Sequence, residues 1–298
     1  MSMLLKRLQD KNLISPPSFL VSSTQYLVLM GSEAYGVAID KSDRDVYGFC
    51  IPNKDIIFPH LAGEILGFGK QINRFEQFQQ HHVEDKETKN MYDLSIYNIV
   101  RYFHLVMEGN PNMQDSLWVP QRCTLHITRV GQMVRDSRKM FLSKACYHKF
   151  RGYAFSQLHK ADTKVPIGKR KETIAEFGTD TKFLYHVIRL LLECEQILET
   201  GELNLERDRE MLKEIRRGGW TLEQIKDYFT AKERSLEELY NKSTLPWGPD
   251  EDKIKDLLLA CLEEYFGSLD KTIVRPDSYK KLVQELGSLF EKHKGALQ

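Results

Sequence analysis

Two apolar runs flanking a polar, glycine-containing turn organise the first part of the chain. Residues 26–30, Tyr-Leu-Val-Leu-Met, have the continuous apolar character of a buried strand, and residues 46–51 form a second such run. Side chains alternate faces along a strand, so Asp43 and Asp45, leading into the second run, project the same way. Ahead of the first run, residues 4–12 predict a short charged amphipathic helix, ended by Pro16-Pro17. The pattern therefore predicts strands over 24–30 and 45–51, with a short helix or turn over 32–36 between them. Residues 54–67 read as irregular. Residues 68–83 alternate loosely and read as extended, and 89–94 as a third strand. That strand runs into a helix over 95–108, with Ile96, Ile99, Val100, Phe103, Val106 and Met107 at helical spacing. Beyond residue 120 the pattern is almost wholly helical, over about 126–138, 142–162, 171–200, 222–240, 251–267 and 276–293. Pro166-Ile167-Gly168 and Leu245-Pro246-Trp247-Gly248-Pro249 break it. The helices from 222 onward are Glu- and Lys-rich bundle elements in which no chemistry is legible.

Composition adds limits. The 298 residues, 41% of them hydrophobic, suffice for one large domain or two ordinary ones. A net charge of +1 points to neither nucleic acid nor membrane as a partner of the chain as a whole. The five cysteines, Cys50, Cys123, Cys146, Cys194 and Cys261, form no zinc or Cys-x-x-Cys spacing and read as reduced, mostly buried thiols. No apolar run reaches transmembrane length, and the first 17 residues lack the apolar core of a signal peptide. A cytoplasmic chain with no membrane partner is the expectation. Charge is nonetheless uneven. Residues 138–171 hold ten Lys or Arg and one acid, Asp162, with Tyr147, Phe150, Tyr153 and Phe155 interleaved. Such a segment suits a polyanion, although most lysine-rich runs are solvated surface.

The candidate chemistry lies in and around the first turn. Two neighbouring carboxylates repel unless a cation sits between them, and hard oxygen ligands at this spacing suit magnesium. A Gly-Ser turn after a strand, Gly31-Ser32, can present backbone N–H groups to a phosphate, and Ser32 adds a hydroxyl. His81-His82 with Glu84 and Asp85 behind them make a metal site conceivable. Adjacent strand histidines point to opposite faces, however, and an exposed polar loop is the favoured reading. Asp93, read from its position alone, is a helix N-cap or first-turn aspartate. Gly109 and Pro111 end one helix, and Asn112 can cap the next, so local turn chemistry accounts for residues 109–112. Further on, Asp180 or Thr179 can cap a helix on which Lys182, His186 and Arg189 share one face. Three cationic groups near a helix N-terminus would grip a triphosphate; a solvated stripe is the plain alternative.

The stretch Gly31-Ser32-x-Ala34-Tyr35-Gly36 … Ser42-Asp43-x-Asp45 … Gly48 resembles the nucleotidyltransferases of the DNA polymerase beta superfamily. Within it, the layout is similar to the RNA-repair-associated, RNA-ligase-associated group. Gly109-Asn110-Pro111-Asn112 and the helix around Lys182, His186 and Arg189 add to the likeness, which spans roughly the first two thirds of the chain. The resemblance implies that Asp43, Asp45 and Asp93 bind two Mg2+ (or Mn2+) ions, with Asp93 also taking the proton from the attacking hydroxyl. It places Gly31, Ser32, Tyr35 and Ser42 at the nucleotide and implies phosphate contact from Lys182, His186 and Arg189. It further implies an RNA acceptor, a tRNA end among the candidates, for which the basic segment 138–171 is the candidate contact by its charge.

The expected class is α+β. Residues 1–120 would form a small mixed-sheet nucleotidyltransferase domain, and 121–298 a helical domain closing a cleft over nucleotide and acceptor. The expected reaction is transfer of a nucleoside monophosphate from an NTP to a hydroxyl, releasing pyrophosphate. Two alternatives stay open: modification of a protein or small molecule by the same chemistry, and an NTP-binding module that does not turn over.

Overall fold

The computed structural model describes residues 1–38, 43–69, 71, 74–163, 169–269 and 277–293. In chain order the elements are α1 (Met3–Asp10), α2 (Leu20–Ser23), β1 (Thr24–Leu29), β2 (Arg44–Cys50), α3 (Lys54–Ile57), β3 (Gln77–Asp85), β4 (Asn90–Asn98), α4 (Ile99–Met107), α5 (Pro111–Trp118) and β5 (Thr124–Ile127). Then come α6 (Arg129–Asp136), α7 (Cys146–Thr163), α8 (Lys169–Phe177), α9 (Thr181–Thr200), α10 (Arg209–Arg216), α11 (Leu222–Lys242), α12 (Glu251–Phe266) and α13 (Asp277–His293). The fold is α+β, as the sequence pattern predicts.

The five strands form one mixed sheet in the order β3-β4-β2-β1-β5. Only β2 and β4 run parallel; the other neighbours are antiparallel. Alternation sorts the side chains onto two faces. Leu27, Val46, Cys50, Leu94 and Ile96 pack with Leu5 and Leu8 of α1 and with Leu20 and Val21 of α2. Tyr26, Val28, Phe49 and Tyr97 belong instead to a large apolar cluster that continues through α4, α5, α7 and α9 to Ile254 and Cys261 of α12. The helical half therefore has no core separate from the face of the sheet it covers. Its centre is α9, packed against α7, α10 and α11 and buried over most of its length.

Several boundaries differ from the sequence expectation. β4 continues to Asn98, whose side chain accepts from the Val100 N–H and caps α4. Asp93 is thus a mid-strand residue and neither an N-cap nor a first-turn group. The next helix, α5, is capped by Asn110, which accepts from the Met113 N–H, with Pro111 in its first turn; Asn112 is not the cap. The stretch expected as a helix over 126–138 begins with β5, which pairs with β1, before Thr128 caps α6. That strand lies beyond residue 120. The helix expected over 171–200 is two, because Gly178 takes φ +74° and Asp180 caps α9. The charged helix α10 has no counterpart in the sequence expectation. His81 and His82 lie within β3 at a bulge and not in a loop.

Candidate active site

β1 leads into a tight 3-10 turn, Gly31–Glu33, and the Met30 N–H donates to the Asp45 carbonyl of β2 at 2.7 Å. Gly31 takes φ +62°, and a Cβ there would lie 2.2 Å from Asp45 Oδ2. Only glycine lets the turn fold over that carboxylate. In the parallel β2/β4 ladder Asp45 is the register partner of Asp93, so both carboxylates leave the same sheet face side by side. Asp43 stands two residues earlier.

Burial raises the Asp45 carboxyl above its ordinary value. Lys182 opposes that shift, Asp93 and Asp43 add to it, and His81 opposes it. Asp93 is positioned by the β3 bulge. His82 adopts φ +56°, and its backbone N–H donates to Asp93 Oδ1 at 2.7 Å. Because the bulge breaks the alternation of β3, both imidazoles approach the same oxygen, His81 Nδ1 at 3.6 Å and His82 Nδ1 at 3.9 Å. Unbroken strand alternation would set the two rings on opposite faces.

These groups form one wall of a cleft of about 770 Å3. Tyr47 of β2, Asn112 of α5, Tyr153 and Gln157 of α7, and α8 contribute to its lining. On the helical side stand Lys182 and His186 of α9 and Lys213, Arg216 and Arg217 in and just after α10. Lys182 sits in the first turn of α9, where its backbone N–H donates to Asp180 Oδ1 at 3.0 Å. The His186 ring lies on that of Tyr185, with centroids 4.2 Å apart.

Arg189 does not join this solvated face. It lines the cleft floor but is only 2% exposed. Its Nη1 donates to Asp115 Oδ2 at 2.5 Å and to both carboxylate oxygens of Glu193, at 3.0 and 2.8 Å. The guanidinium lies 4.3 Å from the centre of the Tyr35 ring, and the Tyr35 hydroxyl donates to Asp115 Oδ2 at 2.8 Å. Burial raises the Asp115 and Glu193 carboxyls, that of Glu193 well above its ordinary value. Arg189 and Tyr35, read from the sequence as nucleotide contacts, are thus knit into an ionic cluster beneath the turn. The sequence reading missed Asp115 and Glu193. The available signal was an arginine and a glutamate spaced i, i+4 inside a helix otherwise apolar on nearly every side.

Gly31, Ser32, Tyr35, Asp43, Asp45, Asp93, Lys182, His186 and Arg189 all line this cleft. Ser42 lies outside the described residues, as do residues 164–168 of the basic segment. In the rest of that segment Lys139 pairs with Glu202 and Arg151 with Glu233. Arg138 stacks on Trp118, and Lys144 lies over Trp247 and Tyr240.

Asp43, Asp45 and Asp93 are the hard oxygen donors that magnesium prefers, and their mutual repulsion is what a cation would relieve. Among the described residues no three His, Cys, Asp or Glu side chains already stand at metal-binding distance. None of the described helices is long and apolar enough to cross a membrane.

A turn folded over paired strand carboxylates, facing a cationic helical wall, is the layout of a polymerase-beta-type nucleotidyltransferase. The model of RlaP, the RNA repair pathway DNA polymerase beta family, matches residues 5–267, and the chain belongs to that family. A solved structure from Exiguobacterium sibiricum 255-15, titled a nucleotidyltransferase-like protein, aligns with 98% of this chain and 90% of its own at 11% identity. Its TM-score is 0.29, too low for the likeness to carry weight. No curated protein matches the chain.

Proposed function

We propose that this protein transfers a nucleoside monophosphate from an NTP to a hydroxyl at an RNA end, a tRNA end among the candidates, and releases pyrophosphate. The observation that carries the reading is the register pairing of Asp45 with Asp93 beside the Gly31 turn, facing Lys182 across the cleft. Residues 1–120 supply the carboxylates and the turn in this reading, and 121–298 close the cleft from the helical side, with β5 completing the sheet.

Asp43, Asp45 and Asp93 would hold two magnesium or manganese ions, which supply charge neutralisation on the phosphates and a lowered pKa at the attacking hydroxyl. The residues themselves do the rest. Gly31 and Ser32 receive the phosphates at close range, since a Cβ on Gly31 would crowd Asp45 Oδ2. Lys182 and His186 offset phosphate charge from the α9 side. The acceptor oxygen attacks the α-phosphorus, the bond to the bridging oxygen of the β-phosphate breaks, and pyrophosphate leaves with the electron pair. The acceptor proton passes to Asp93, which the His82 N–H holds in place. Asp115, Arg189, Glu193 and Tyr35 fix the turn from below. The exposed cations of the 138–171 segment, Lys149 and Lys160 among them, would meet the RNA backbone.

The test is label transfer. The protein is incubated with a divalent metal and each α-labelled NTP, with total RNA and cell protein as acceptors. An Asp43→Ala, Asp45→Ala double variant runs in parallel. Label in RNA with the wild type alone supports the reading and names the base. Label in protein or a small product would replace the acceptor, and bound NTP without any transfer would replace the enzyme by a binding module.

A further inference from the structure

The helical wall of the cleft carries cations from two elements, α9 and α10 with the residue that follows it. Lys182 and His186 line it from α9, Lys182 in the first turn of that helix. Lys213, Arg216 and Arg217 line the same cleft from α10 and the residue that follows it. Their i, i+3 and i+4 spacing puts them on one side of the helix, while Leu212 and Ile215 are buried, and α10 packs on α9. Cations are favoured in the last turn of any helix by its dipole. That preference accounts for their presence but not for all three lining a cleft.

Their placement is fixed by ties to residues 31–37, the turn that covers Asp45. Arg216 Nη1 donates to the Val37 carbonyl at 2.7 Å. Arg122 bridges the Glu33 carbonyl, at 3.0 Å, and Glu206, at 2.8 Å, just ahead of α10. Gly36, at φ +66°, lets Glu206 approach to 2.9 Å from where a Cβ would stand. The turn and α10 are thus held as one unit. Of the acids on this wall, Asp180 is engaged at the α9 cap, Glu176 lines the cleft, and the exposed Glu210 pairs with Lys213 at 3.0 Å. A phosphate can exchange with so solvated a carboxylate at little cost.

A chain of phosphates carries more charge than a single phosphate for the cations of both helices to offset. We propose that Lys213, Arg216 and Arg217 form a distal polyphosphate subsite that holds the β- and γ-phosphates of a nucleoside triphosphate. The inference rests on the nucleotidyl-transfer reading for the identity of the ligand. It adds which residues make the site select a triphosphate over a monophosphate.

The experiment is calorimetric titration of the full chain with inorganic tripolyphosphate in metal-free buffer. A Lys213→Ala, Arg217→Ala double variant and a Lys242→Ala control are titrated alongside, and melting curves check that all three are folded. Arg216 is left intact because it also ties the turn. The wild type and the control should bind tripolyphosphate, and the double variant should bind it about tenfold or more weakly. Affinity for an NTP should fall by a similar factor and affinity for the matching monophosphate should not. Equal tripolyphosphate affinity in the wild type and the double variant, or no binding by the wild type, would overturn the proposal. If tripolyphosphate binding behaves as expected but the wild type transfers no label, the subsite stands and the transfer reading falls.

Discussion

Asp45 and Asp93 face each other across the parallel β2/β4 ladder, from strands far apart in the chain. Placing two carboxylates side by side on a largely buried face costs folding free energy, and burial with the neighbouring acids raises the Asp45 carboxyl. A bound divalent cation would turn the cost into a gain.

The sign of the shift fixes a pH dependence. Because the folded-state value of Asp45 is raised, its favourable contribution is complete below the ordinary carboxylate value of 3.8 and is lost as pH rises through the raised value. In metal-free buffer, Asp45→Asn should therefore melt at the same temperature as the wild type or higher near neutral pH. Magnesium should raise the melting temperature of the wild type and leave that of the variant unchanged. Thermal melts with and without chelator decide this, and an equal magnesium shift in both proteins would refute it.

Gly31→Ala should be among the most damaging small substitutions. The added Cβ would overlap Asp45 Oδ2, and φ +62° is unfavourable for alanine. A stability loss of about 1–3 kcal/mol is expected from the backbone conformation alone. Nucleotide transfer should fall further than that loss explains, because Asp45 must move. Chemical denaturation together with a transfer assay separates the two effects.

Lys182 and Arg189 share a helix but should behave oppositely. Arg189→Met leaves Asp115 and Glu193 buried without their cation and should cost about 3–5 kcal/mol of stability. Lys182→Ala removes an exposed cation, so the melting temperature should stay put while KM for the NTP rises about tenfold. Urea unfolding and steady-state kinetics on both variants check the contrast. A wild-type melt for Arg189→Met would show that the cluster does not hold the turn.

The sequence made the turn and its flanking strands legible because the apolar runs around residues 26–30 and 46–51 are continuous and Gly31 and Asp45 lie close together in the chain. Asp93 could be found only through family resemblance. Tyr92, Leu94 and Ile96 alternate as a strand should, but the apolar positions from Ile96 onward also fit a helix, and that reading started the helix too early. β5 is four residues long and gives almost no periodic signal; its pairing with β1 decides its conformation. Helical spacing groups Arg189 with Lys182 and His186 as a phosphate contact, because the pattern gives no sign that one of the three is buried. The burial of Arg189 depends on Asp115 and Tyr35, which only the tertiary structure brings beside it. The pattern points the His81-His82 pair to a loop because alternation cannot foresee a bulge.

The most direct test of the account is single-turnover transfer of an α-labelled NTP to an RNA that the wild type labels, measured for wild type, Asp45→Asn and Asp93→Asn at matched nucleotide occupancy. Both variants should bind the NTP in chelator within a few-fold of the wild type and lose transfer by about a thousandfold or more. Transfer by either variant at a rate near that of the wild type would show that the paired carboxylates do not carry the chemistry.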